Sequence, residues 1–183
     1  MKKEERHKAV AVLVSFVDDR PRFLTVRDRR HKEWIFITGG CRKREIGNPL
    51  YSALRELEEE TRGVINLKRG VYSSFDFSVM STERDESHVT LVYHVYVIEY
   101  NVPRFVQLAL IRRFNIEKIK TDKRKKDHLP VKRCYDENDY MSFDTLDEFN
   151  SRTQWPLIVD NVLNNPEFIP ALTSLNRHSF YIR

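Results

Sequence analysis

Residues 39–64 read GGCRKREIGNPLYSALRELEEETRGV, a glycine pair, a short basic loop and then a change of hydrophobic period. Gly39 and Gly40 admit backbone geometry that other residues resist. Asn48 suits a helix cap and Pro49 the first helical position. Leu50, Ala53, Leu54 and Leu57 fall at i, i+3, i+4 and i+7, so one face of this helix is buried, and the helix is expected to stop near Gly63. Glu56, Glu59 and Glu60 share a sector displaced by roughly 120° from that stripe. Glu56 and Glu60, at i and i+4, cost an isolated helix about 0.2–0.5 kcal/mol, small enough for an idle solvated face. A divalent cation would turn the same repulsion into a set of oxygen ligands able to hold a phosphate-bound metal.

Upstream, KAVAVLVSFV (8–17) is β-branched and apolar, and RFLTVR (22–27) alternates; the Asp and Pro between them predict a hairpin. Trp34–Ile37 is a further short strand leading into Thr38-Gly39-Gly40. Downstream, Val71–Met80 and VTLVYHVYVIEY (89–100) read as antiparallel strands around a charged turn at Ser81–His88. Residues 105–120 fit either helix or strand, and KTDKRKKDHLPVKR (120–133) is expected to be an exposed loop. A short strand running into a turn is expected over 141–149, a helix over 155–163 and a last short helix after Pro166. This order predicts an α/β fold, a mixed sheet packed by helices.

The chain has 183 residues, enough for one domain. No apolar run approaches the ~20 residues of a membrane span, and the start MKKEERHKAV has no signal-peptide core, so a protein free of membranes, in the cytoplasm or the nucleus, is expected. Cys41 and Cys134 have no CxxC neighbour, which excludes a disulfide framework and a four-Cys zinc site. The six His show no paired metal spacing and receive no role. Cys41 has no activating base nearby in sequence. Trp34 and Phe36, the aromatics nearest the glycine pair, read as core. The net charge of +5 is uneven. Basic residues gather at 20–32, 42–44 and most densely 118–133, around the acidic 56–60, as suits a polyanion handled through cations.

The segment Arg55-Glu56-Leu57-Glu58-Glu59-Glu60, with WIFITGG (34–40) before it, resembles the signature of the Nudix hydrolase superfamily. Two spacings differ by one residue. Fifteen positions separate Gly40 from Arg55, so Glu45 is the nearest acid to the family's first Glu, and Thr61-Arg62 replaces a single residue before Gly63. The resemblance implies a Nudix-like α/β/α sandwich with a mixed β-sheet, as one domain over 1–183 with a basic insertion near 118–133. It implies Mg2+ or Mn2+ bound by Glu56, Glu59, Glu60 and the Gly40 carbonyl, with Arg55 orienting the acids. A water is positioned by Glu59 or by a later acid, Asp136 or Glu137, with Glu137 preferred.

The family cleaves nucleoside diphosphates linked to another group. The basic segments, above all Lys123, Arg124, Lys125 and Lys126, point to capped RNA as substrate, in looser resemblance to the decapping Nudix enzymes of large DNA viruses. The alternatives are a free nucleotide, dinucleoside polyphosphate or nucleotide sugar, and a silent Nudix-like module that binds RNA or protein.

Overall fold

Ala9 to Val14 have no solvent exposure on either face, so this segment has to be an interior strand of a covered sheet. The computed structural model describes residues 4–18, 20–82 and 88–180, with side chains to residue 175. The interior strand is β1, Glu4–Val17. It pairs in parallel with β6 (His88–Glu99) along one edge. Its other edge is shared by β4 (Ile37–Gly40) at Lys8–Ala11 and by β2 (Arg20–Asp28) at Val14–Val17, both antiparallel. β3 (Trp34–Ile35) and β7 (Asn138–Asp144) flank β2, and β5 (Tyr72–Thr82) closes the far edge on β6. The sheet is mixed, as expected, and both the predicted β1–β2 hairpin pairing and the expected antiparallel β5–β6 pair are present. The expected charged turn falls largely on 83–87, outside the described residues.

Helices cover both faces. α1 (Pro49–Glu60) packs on β1 and β4 through Ala53, Leu54 and Leu57. It ends where Arg62 and Gly63 take left-handed φ values of 58° and 74°. On the opposite face Phe23 meets Phe36 and Phe168, the latter on α5 (Phe168–Phe180), and Phe36 meets Phe149 on the short α3 (Leu146–Asn150). α4 (Pro156–Leu163) buries Ile158, Val159 and Val162. Trp34 and Phe36 are core, as read from the sequence. α3 replaces the expected turn after β7, because Thr145 and Glu148 form a reciprocal capping box.

The basic segment differs from expectation. Arg104–Lys126 is one helix, α2, so Lys120–Lys126 of the expected loop is helical, and only the chain after it, 127–132, is irregular and largely exposed. Lys and Arg are good helix formers, and cations in the last turn complement the carbonyl end of the helix dipole. α2 buries Leu110 and Phe114 yet exposes Phe105, Leu108, Ile116 and Ile119, which removes the one-sided pattern that reveals a helix. Among the described residues no helix is long and apolar enough to cross a membrane.

Candidate active site

α1 crosses the sheet so that its acidic ridge meets the end of β4. A Cβ on Gly39 would lie 1.9 Å from the Glu56 carboxyl carbon, whereas one on Gly40 would meet nothing within 4 Å. Gly39 is therefore the glycine that lets Glu56 lie on the strand. Gly39→Ala should displace the Glu56 carboxylate while costing little stability, since the tip of Glu56 can swing away. The expected result is roughly 100-fold lower turnover with a melting temperature near wild type; wild-type turnover would mean that Glu56 works from another position.

Arg55 organises the ridge. Its Nη1 donates to Glu56 Oε1 (2.6 Å) and Glu59 Oε2 (3.3 Å). Its Nη2 donates to the Gly40 carbonyl (2.9 Å) and Glu45 Oε2 (3.2 Å), and its Nε to Glu45 Oε1 (3.3 Å). Glu45 thus reaches Arg55 despite the irregular spacing, because a 3-10 turn at Lys43–Glu45 folds the longer loop back. Ser52 Oγ and the Arg42 N–H also donate to Glu45 Oε2. Burial alone would push Glu45 up, but the bonds from Arg55, Ser52 and Arg42 outweigh it and hold its pKa at about 2. Burial would lower Arg55, and the carboxylates around it raise it instead.

Glu60 is buried at 6% exposure. Its Oε1 accepts from the Thr38 N–H (3.2 Å) and its Oε2 from Asn138 Nδ2 (3.0 Å). Burial pushes Glu60 well above the usual carboxylate range, against the Asn138 bond and reinforced by Glu56 and Glu137. Burial likewise raises Glu56, against Arg55 and with repulsion from Glu59 and Glu137. Glu137, exposed just before β7, is raised by its partial burial and by Glu59 and Asp28, against Arg133. These mutual influences bring Glu56, Glu59, Glu60 and Glu137 into one electrostatic cluster.

Asp136 stands apart from this cluster. It is ion-paired with Arg29 (3.3 Å), with Arg62 (3.6 Å) and with Lys125. The inserted Arg62 is a buried bolt whose Nη2 donates to the Asn138 carbonyl (2.7 Å), whose Nη1 donates to Thr121 (3.1 Å) and whose guanidinium lies over Phe114. Sequence reasoning missed Asn138; one Asn before a strand carries no signal. Arg124 donates to the Pro130 carbonyl, and Lys125 to Asp136. Lys123 and Lys126 are exposed and have no partner among the described residues. Cys41, beside Gly40, is raised by burial, which keeps it a thiol.

The donors on the ridge are carboxylate oxygens held in mutual repulsion, which suits a hard divalent cation. Among the described residues no three acidic, His or Cys side chains converge as a ready-made metal cluster. Glu56 and Glu59 share Arg55, and the Gly40 carbonyl is taken by the same guanidinium. The residues fit a cation in chemical kind, with Arg55 its competitor for these oxygens.

A NUDIX domain model matches residues 5–134. No curated protein matches the sequence. Among solved structures, the NUDIX domain of Shewanella oneidensis NrtR complexed with ADP ribose is similar at TM-score 0.54 and 12% identity, over 92% of this chain and 90% of that one. The M. smegmatis Nudix hydrolase RenU is similar at 0.52 and 10% identity, over 98% and 89%. A C. elegans Ap4A hydrolase binary complex is similar at 0.51 and 11% identity, over 94% and 98%. At such identities the likeness is one of fold. The matched domain runs through the glycine corner, Arg55 and the acidic ridge, and on that ground the chain belongs to the NUDIX family.

Proposed function

We propose that the chain is a pyrophosphohydrolase dependent on Mg2+ or Mn2+ that acts on the 5′ cap of RNA, releasing a capped nucleoside diphosphate and RNA with a 5′ monophosphate. The observation that carries the reaction type is the ridge of carboxylates folded onto the glycine corner. When bound, the cation supplies charge neutralisation on the diphosphate and a more acidic water.

Glu56, Glu59 and Glu60 would hold that cation, with the Gly40 carbonyl, which now accepts from Arg55, as a further oxygen. Arg55 keeps Glu56 and Glu59 side by side and balances the charge of the ridge. Glu137 accepts the proton of the attacking water, with Glu59 the alternative; a carboxylate that binds its proton more tightly than usual is a better base near neutral pH. Asp136, committed to three cations, is excluded from that role.

The chain reads as one domain whose basic segment near 118–133 elaborates the core. What supports RNA is where that segment lies. The cationic end of α2 is tied through Lys125 to Asp136, next to Glu137, and Arg29 ties Asp122 on the same helix (3.0 Å), so a basic track borders the carboxylates. Of Lys123, Arg124, Lys125 and Lys126, the pair Lys123 and Lys126 shares one face of α2 at i and i+3 and would neutralise RNA phosphates most directly. Because Arg124 and Lys125 also have internal partners, Lys123→Gln with Lys126→Gln is the cleaner variant. It should weaken RNA binding and reduce the log–log salt slope by about 0.7 for each phosphate no longer neutralised, without changing hydrolysis of a free cap dinucleotide. An unchanged slope favours the second reading, a free nucleotide or dinucleoside polyphosphate, to which the internal engagement of Arg124 and Lys125 already lends weight.

A further inference from the structure

Strand register lines up Gly39, Ala9, His94 and Asp76 across β4, β1, β6 and β5, on the face that α1 occupies. Neighbouring strands are spaced by about 4.8 Å, so His94 stands two strands, about 10 Å, from the glycine beneath Glu56. His7 precedes Ala9 by two and lies on the same face, its carbonyl accepting from the Cys41 N–H (2.9 Å). The start of α1 covers this face at Tyr96, which is buried. Beyond it the sheet opens to solvent: Ser74, Asp76 and Ser78 are exposed, and His7 and His94 half-buried.

On this open face runs a hydrogen-bonded chain. Asp76 Oδ1 is 3.0 Å from His94 Nδ1, and His94 Nε2 is 3.0 Å from His7 Nδ1. The two rings are parallel within 8°, with centroids 5.3 Å apart. The tautomers follow from Asp76. A carboxylate only accepts, so His94 Nδ1 carries the hydrogen and Nε2 of the neutral ring accepts. His7 Nδ1 then donates, which leaves His7 Nε2 with a lone pair and no other partner among the described residues.

We propose that Asp76 and His94 are positioning residues that set His7 Nε2 as an acceptor, and that it reads an N–H or O–H donor on the nucleoside half of the substrate diphosphate. This rests on the carboxylate ridge holding that diphosphate. The two-strand span is of the order of a ribose and base beyond their phosphates, and too long for the imidazole to act on the reacting phosphorus.

The chain can be released by removing its anchor. In Asp76→Ala the acceptor that holds the hydrogen on His94 Nδ1 is gone, so His94 can carry it on Nε2, donate to His7 Nδ1 and leave His7 with a hydrogen on Nε2. Nitrogen-15 NMR of the histidines should show His7 Nε2 unprotonated in the wild type and at least partly protonated in Asp76→Ala. Both Asp76→Ala and His7→Ala should raise KM for the nucleotide substrate roughly three- to tenfold, with kcat within about twofold and an unchanged melting temperature. His7→Gln, whose amide oxygen still accepts, should recover part of the loss.

A wild-type His7 protonated on Nε2, or unchanged KM in both variants, would overturn the proposal. If the wild type hydrolyses no nucleotide, the reading of the ridge fails, and nucleoside 5′-monophosphates added to the labelled protein then decide separately. A shift of the His7 Nε2 signal supports the relay as a nucleoside site, and no shift with the adenosine, guanosine, cytidine or uridine monophosphate overturns it.

Discussion

Glu60→Gln should lower kcat by about 1000-fold or more in a chain that still folds. The substitution keeps shape and volume but removes the charge that the ridge would offer a cation, and charge stabilisation of this kind is worth several kcal/mol. The structural cost is smaller. Glu60 accepts from Thr38 and Asn138, and a glutamine can accept only one of these unless Asn138 turns its amide over. That mismatch costs roughly 1–2 kcal/mol, within the 5–15 kcal/mol typical of a domain. Circular dichroism would establish the fold and steady-state hydrolysis the loss. Unchanged turnover would remove Glu60 from the assignment.

Arg55→Ala should be the most destabilising single change at the site, by about 3–5 kcal/mol near neutral pH, because it strips the shared partner from three carboxylates that are largely buried. Its pH dependence has a definite sign. Glu45 is depressed to about 2 in the fold, so its contribution is fully present above its unfolded value and is lost as pH falls toward 2. In the variant burial acts on Glu45 without the guanidinium that opposed it, and its pKa rises. The difference between wild type and variant should therefore shrink as pH falls from about 4 to 2. Urea unfolding at neutral and acid pH measures it. A loss below about 1 kcal/mol at neutral pH would mean that the carboxylates find other partners.

The sequence revealed most where one physical constraint acts along a short stretch. β1 was legible because burial on both faces demands an unbroken apolar run, and α1 because its apolar stripe and acidic ridge lie on separate faces. The Arg55–Glu60 segment carried the family resemblance for the same reason. α2 was not legible, since its apolar residues lie all round and its end is charged. Glu45 shows how counting fails: spacing fixes a ligand only if the loop has a fixed length, and a 3-10 turn absorbs the extra residue. Asn138, the Arg62 bolt, and the His7–His94–Asp76 chain depend on strand register across distant segments, which no local pattern encodes.

The most direct test is hydrolysis by the wild-type chain of capped RNA, free cap dinucleotide, ADP-ribose and a dinucleoside polyphosphate, with Mg2+ or Mn2+ and again with a chelator. Cation-dependent cleavage of a phosphoric anhydride, giving a nucleoside diphosphate and 5′-monophosphate RNA from the capped substrate, is the predicted result. No cleavage of any of these substrates with either cation would contradict it and leave the chain a silent binding module.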